Sequence, residues 1–152
     1  MKEKRERMMD IQEIPDWWAL CPGYGCEKAE DCLRNMAFRD VRKGTTRWMC
    51  VLPEAMKDGE CSYFQSKEKV RMACGFHKLY RRIQGRDARH LIRMELTERF
   101  GSKGSYYRYK DGDRLLTPEL QEMVSQVFRR HGFKGEIVFD KYFESYNYTM
   151  VP

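Results

Sequence analysis

A chain of 152 residues and 18.3 kDa has room for one ordinary domain and not for a second large one. It is 41% hydrophobic and 13% aromatic, enough for a packed core, yet 34% charged with a mean hydropathy of −0.79, and no run comes near the about 18 apolar residues of a membrane-spanning helix. Those figures exclude a membrane-spanning helix, a secreted disulfide miniprotein and a disordered tail.

Residues 1–13 form a charged arm, whose first ten residues have the positive start of a signal peptide but no apolar stretch behind it, which argues against export. Pro15 biases Ile14 away from helix, so the segment through Asp16, Trp17 and Trp18 begins extended. Turn residues make Cys21–Cys26 a loop. Ala29, Cys32, Leu33, Met36 and Ala37 recur at helical spacing and predict a helix from Glu27 to about Arg39, with Gly44 ending it. Arg47–Leu52 is rich in strand formers and stops at Pro53. Asp58-Gly59 predicts a tight turn before Cys61, Tyr63 and Phe64, hence a short hairpin. A helix over Lys67–Ile83 would put Val70, Ala73, Cys74, His77, Tyr80 and Ile83 on one face. Gly85 breaks it.

A second helix of this basic stretch is predicted from Asp87 to Phe100, with Ala88, Leu91, Ile92, Leu96 and Phe100 inward. Tyr106-Tyr107-Arg108-Tyr109 then leads through Asp111-Gly112 to Arg114-Leu115-Leu116, a second predicted hairpin. The clearest helix start follows, with Thr117 as cap, Pro118 in the first turn and Glu119 at the positive end of the dipole. Leu120, Met123, Val124, Val127 and Phe128 form its stripe, and Gly132 closes it. Ile137-Val138-Phe139 begins a last strand before the aromatic run Tyr142, Phe143, Tyr146 and Tyr148. The order predicts an α+β fold, a single small domain over 14–152 with about four helices and two short hairpins. Its parts are a Cys-bearing lobe of loop and helix at 14–65, a basic helical segment at 66–135 and an aromatic strand or tail at 136–152.

The six cysteines are Cys21, Cys26, Cys32, Cys50, Cys61 and Cys74. Without an export signal they belong in a reducing compartment, and a cytoplasmic protein is the expectation. The first three follow a C-x4-C-x5-C spacing, with Pro22, Gly23 and Gly25 between the first two, and Cys61 follows a turn from which a thiolate can reach back. Zinc takes four ligands in a tetrahedron at about 2.3 Å for sulfur. Cys21, Cys26, Cys32 and Cys61 are therefore the candidate metal set. An iron–sulfur cluster also takes four thiolates and is the rival occupant. The C-x2-C pair of zinc ribbons is missing, and Cys32 and Cys74 fall on apolar helix faces where a free thiol is a small hydrophobe. Reduced, structural cysteines therefore stand as the alternative to a metal. Cys50, between Met49 and Val51, reads as core, although it could replace Cys61 as fourth ligand.

The runs Cys21-Pro22-x-x-x-Cys26 and Cys32-Leu33-Arg34, then Gly59-Glu60-Cys61-Ser62-Tyr63-Phe64, then Tyr106-Tyr107-Arg108-Tyr109 and Leu116-Thr117-Pro118-Glu119, carry a resemblance. Over about residues 17–148 the chain resembles a family of small uncharacterised proteins, a domain of unknown function, from Bacteroides-type bacteria. The resemblance implies a bacterial cytoplasmic protein folded as one unit. It carries no assigned activity and transfers no catalytic residue.

The net charge of +6 is concentrated. Residues 1–65 carry 11 Lys and Arg against 12 Asp and Glu, residues 66–135 carry 17 against 8, and residues 136–152 carry 1 against 3. A basic block attracts polyanions at long range and releases counterions on binding nucleic acid; a solvated helical surface is the plain alternative. The candidate phosphate contacts are Arg81, Arg82, Arg86, Arg89, Arg93, Arg108, Lys110 and Arg114. Tyr106, Tyr107 and Tyr109 are the candidate stacking rings, interleaved with cations as single-stranded nucleic acid favours. Two helices about Gly85 followed by a basic hairpin have the outline of a winged helix-turn-helix, while alternating Tyr and Arg also describes a half-buried strand.

No metalloprotease His-Glu pair, nucleophile-elbow serine or dinucleotide glycine fingerprint occurs, and Gly101–Ser105 lacks the spacing of a phosphate loop. Cys74 with His77 reads as a core pair, and His131 as a helix cap. The expected function is thus a binding protein, its Cys-bearing lobe stabilised by zinc and its basic block contacting nucleic acid. Two alternatives remain at this point: a protein–protein adaptor with Tyr142, Phe143, Tyr146 and Tyr148 as an exposed anchor patch, and an iron–sulfur or thiol redox protein.

Overall fold

The computed structural model describes residues 14–41 and 44–148, so the charged arm at 1–13 lies outside the described residues. The fold is α+β, and the chain divides into two compact units. Of the described residues, one unit takes those up to 69 together with those from 145 on; the other is Val70–Glu144. The boundary falls close to the composition change at residue 66, but the aromatic segment is divided between the units. No helix among the described residues is long and apolar enough to cross a membrane.

In the first unit a single 3-10 turn, Ala29–Asp31, is followed by helix α1, Leu33–Asp40. The predicted helix is therefore interrupted at Cys32, whose backbone is extended at φ −96° and ψ 123°. Tertiary pairing explains the break: Cys32 forms an antiparallel bridge with Ser66, and the Leu33 N–H donates to the Gln65 carbonyl at 2.6 Å. The hairpin at Asp58-Gly59 forms as expected, with β1, Met56–Lys57, against β2, Glu60–Cys61. Its two corner residues have φ of 51° and 78°, both positive as a type I′ turn requires. Arg47–Leu52 contributes one parallel bridge, Leu20 with Cys50. Trp18, Leu20, Leu33 and Ala37 form the buried core here, with Trp48, Tyr146 and Tyr148 packed against it.

The second unit begins with a correction. Residues 70–74, expected in a helix over Lys67–Ile83, form strand β3, Val70–Cys74, and only His77–Arg82 is helical, as α2. Val70 to Cys74 satisfies either period in the sequence, and pairing decides: Ala73 faces Leu116 and Cys74 faces Leu115 of β4, Leu115–Leu116. Strand β5, Lys141–Ser145, completes a sheet of order β4-β3-β5, a few residues later than the strand expected at Ile137.

Helix α3, Arg86–Arg99, and helix α5, Pro118–Arg130, match the sequence reading in extent, down to the Thr117 hydroxyl accepting from the Leu120 N–H, although Leu91, expected inward on α3, is exposed. The second predicted hairpin does not form. Tyr106-Tyr107-Arg108-Tyr109 lies in helix α4, Lys103–Asp111, which Ser102 caps by accepting from the Ser105 N–H at 3.1 Å. Gly112, expected at a hairpin tip, is the left-handed C-terminal cap, and a Cβ there would lie 2.5 Å from the Cys74 sulfur.

Thirteen buried residues, among them Phe76, Tyr106, Phe128, Ile92 and Leu96, make the core of this unit. Phe76 packs edge-on to Tyr106 and Phe128 at 6.1 and 6.3 Å. Helix α2 has no side-chain cap of its own. Its first N–H groups, on His77 and Lys78, donate instead to the Asp140 carboxylate at 2.9 and 2.8 Å.

Glu95 of α3 ties that helix to the end of α5. It accepts from Arg99 at 3.1 Å, meets His131 Nε2 at 2.8 Å, and pairs with Arg130. Partial burial pushes its carboxyl up, but the His131 and Arg99 hydrogen bonds and the Arg130 charge outweigh that and hold it below the ordinary value. A carboxyl lowered by folding stabilises the fold above its unfolded pKa and loses that contribution as pH falls through the folded value. Glu95→Gln should therefore be less stable than the wild type at pH 7, with the gap closing below the carboxylate range. Urea midpoints at pH 7 and pH 3 check this; an equal gap at both would place the effect in packing.

Candidate functional site

The cysteine loop is shaped by a run of left-handed residues. Gly23, Tyr24 and Gly25 have φ of 101°, 40° and 72°, so the chain reverses tightly between Cys21 and Cys26, and the Cys26 N–H closes onto the Gly23 carbonyl at 2.6 Å. A side chain at Gly23 would press on the Asn35 amide, only 3.1 Å from an added Cβ. Asn35 holds the loop from helix α1 by donating to the Cys21 carbonyl at 3.0 Å, and the Cys21 N–H in turn donates to the Arg34 carbonyl. Cys32 is fixed by its bridge to Ser66, and Cys61 by the hairpin register opposite Met56.

These local devices bring all four sequence-predicted cysteines to one pocket of about 350 Å³, whose wall also includes Arg34 and Asn35. Cys50 is not part of that wall; it lies on a neighbouring groove with Cys61. Cys74 belongs to the other unit, buried with its thiol 3.3 Å from the Gly112 carbonyl. His77, expected as its core partner, is exposed and paired with Asp111 at 2.7 Å.

All six cysteines are free thiols, Cys32 and Cys74 buried and the other four intermediate. Burial pushes the Cys21 thiol above its ordinary value; the Gly23 N–H works against that, and the nearby Cys32, Cys61 and Cys26 thiols reinforce it. Among the described residues no group of three or more His, Cys, Asp or Glu side chains is placed to hold a metal ion. The four thiols share a pocket without sharing a centre.

Arg34 is the residue that spacing alone does not reveal. It sits one position into a short helix among apolar neighbours, yet it is only 3% exposed. Its Nε donates to the Tyr63 carbonyl at 2.8 Å and Nη1 to the Ala19 carbonyl at 2.7 Å. The guanidinium lies 3.8 Å from the centre of the Trp18 ring. Burial pushes its pKa down, and Cys32, Cys61, Tyr63 and Cys21, once ionised, would pull it back up.

The basic candidates scatter by role. Tyr106 is fully buried with its hydroxyl donating to Tyr80, and Tyr109 stacks on Phe100 at 4.4 Å. Of the three candidate rings, Tyr107 is the one at the surface. Arg89 donates twice to the Ile83 carbonyl at the end of α2, and Arg82 donates to the Glu136 carbonyl beside Phe133. Lys110 lies over the Tyr80, Tyr106 and Tyr107 rings, and Arg114 over Tyr109. The exposed side chains of Arg81, Arg86 and Arg108 have no hydrogen bond or ion pair with a described residue. Arg93 and Lys103 line a surface pocket of about 440 Å³ between α3 and α4. The late aromatics are half-buried rather than a patch: Tyr142 packs on the core of the second unit, under Arg71, and Tyr146 and Tyr148 pack on that of the first.

A model of a family of unknown function, DUF6078, matches residues 1–148. The chain belongs to DUF6078. No curated protein and no solved structure matches it. What this DUF6078 chain can do chemically is therefore carried by the pocket and the basic surface themselves.

The burial pattern sets an order of thiol reactivity. In the metal-free chain, iodoacetamide at pH 8 should label Cys26 and Cys61 first, Cys21 more slowly because its thiol is harder to ionise, and Cys32 and Cys74 last. Peptide mass mapping over a time course reads this out; early labelling of Cys32 would contradict the placement.

Proposed function

We propose that this is a bacterial cytoplasmic binding protein whose first unit is organised by a thiolate-bound metal ion, zinc, and whose basic second unit contacts nucleic acid. The observation that carries the metal reading is selective convergence. Cys21, Cys26, Cys32 and Cys61, spread over forty residues, line one pocket, while Cys50 and Cys74 do not. The core supplies a reason for a metal. Among the described residues the first unit has four in its buried apolar cluster, against thirteen in the second; small units whose core supplies only about 3–5 kcal/mol commonly add a structural metal or disulfides. Zinc binding requires the thiols to turn inward from the pocket wall, lose their protons and bond the ion, so metal uptake and ordering of the loop are one event. The ion supplies folding free energy here rather than chemistry. An iron–sulfur cluster is the competing occupant of the same thiols.

Protein purified without oxygen should hold about one zinc per chain, as a closed four-thiolate site does. The Cys21→Ser, Cys26→Ser, Cys32→Ser and Cys61→Ser variants should lose it, and Cys50→Ser and Cys74→Ser should keep it. Elemental analysis with a free-thiol count decides. Iron with acid-labile sulfide would replace zinc by a cluster, and a metal-free chain with six titratable thiols would remove the metal reading.

The nucleic-acid reading rests on the outward arginines of the second unit, Arg81, Arg86, Arg93 and Arg108, with Lys103 and the exposed ring of Tyr107 on the same unit. Binding to a mixed-sequence single-stranded oligonucleotide should weaken steeply with salt, and a combined Arg86→Gln, Arg93→Gln and Arg108→Gln variant should flatten that slope by about two to three phosphate contacts. Fluorescence anisotropy between 50 and 200 mM salt measures it. Absent or salt-insensitive binding would refute it.

A further inference from the structure

Arg34 poses a problem of charge. Its hydrogen-bond partners are two backbone carbonyls and its other close neighbours are the Trp18 and Tyr63 rings. Carbonyl dipoles and ring faces orient a guanidinium, but they carry no net charge, and a buried cation is tolerated when it is paired. Among the described residues no carboxylate forms an ion pair with it; it lines one pocket with the four cysteines, and the ionisable groups that act on it most are the Cys32, Cys61 and Cys21 thiols and the Tyr63 phenol. Neutral thiols leave the cation uncompensated. A divalent cation held by four thiolates does not, because that centre carries a net charge of −2, of which the guanidinium offsets half.

We propose that Arg34 is the charge partner of a divalent, thiophilic cation bound by Cys21, Cys26, Cys32 and Cys61, a positioning residue that stabilises the four-thiolate state without bonding the metal. This rests on the metal reading above and deepens it, since it assigns the occupant its charge class. The same side chain has a mechanical part: its two carbonyl partners, Ala19 and Tyr63, lie two residues from Cys21 and Cys61, so the guanidinium also fixes the spacing of those two thiols.

The test compares Arg34→Gln and Arg34→Lys in the full chain, using zinc affinity by chelator competition and the rise in melting temperature on adding zinc. Lysine keeps the charge and loses the fork; glutamine loses the charge. Arg34→Gln should weaken zinc at least about tenfold, the lower end of the range typical of groups that support metal ligands from behind, and Arg34→Lys no more than about threefold. The zinc-dependent rise in melting temperature should shrink in Arg34→Gln, and the metal-free variant should still be folded by circular dichroism. Wild-type zinc affinity in Arg34→Gln overturns the inference and leaves the metal reading standing. Equal losses in both variants, or a metal-free Arg34→Gln chain already unfolded by circular dichroism, make Arg34 a packing pin and overturn it too. A wild-type chain that takes up no metal overturns both.

Discussion

Three segments distant in sequence meet at one guanidinium. Helix α1 presents Arg34, and the side chain reaches the backbone at Ala19 on one side and at Tyr63 on the other. Each of those segments carries a cysteine two residues further along or back, and α1 itself is preceded by a third at Cys32. The loop between Cys21 and Cys26 adds the fourth, braced by Asn35 from the same helix. The cysteine pocket is thus a by-product of how Arg34 and Asn35 satisfy backbone carbonyls that the irregular first unit leaves without sheet or helix partners. Hydrogen bonding to carbonyls is local and directional, which is how a unit with so little regular structure can still fix four side chains.

The two units solve the problem of stability by different means. The second follows the usual rule, with four helices and a small sheet enclosing interlocked aromatic rings, and its surface is left to charge. Many of its cations are already engaged: Arg89 closes the end of α2, Arg82 braces the turn at Glu136, and Lys110 covers three tyrosines. A high positive charge in sequence therefore overstates the charge free to meet a partner. The first unit relies instead on polar braces around a small apolar cluster.

Where the sequence was legible, a local signal agreed with the final environment. Thr117-Pro118-Glu119 marks a helix start through its own atoms, and Asp58-Gly59 marks a turn through its own φ values, so both survive folding unchanged. That Cys21, Cys26, Cys32 and Cys61 line one pocket was legible because loop residues and spacing imply proximity. What misled was periodicity without a partner. Val70–Cys74 has the right residues for either structure, and only its neighbour Leu115–Leu116, forty residues on, selects the strand. Tyr106–Tyr109 alternates like a strand, yet the capping serine at Ser102 and the burial of Tyr106 against Phe76 make it helical. Arg34 went unseen for a related reason: nothing in a linear pattern marks a cation that a folded chain will enclose.

The late segment gives the assembly an order in time. Asp140 supplies the missing cap of α2 from more than sixty residues away, Tyr142 packs on the core of the second unit, and Tyr146 and Tyr148 pack on that of the first. On a ribosome, where segments emerge one after another, both units must wait for residues 140–148 before their interiors close. Contacts of such long sequence separation are also slow to form, because the loop must be closed before they contribute. A nascent chain halted before Asp140 would thus expose an uncapped α2 and the sides of both cores meant for the late tyrosines.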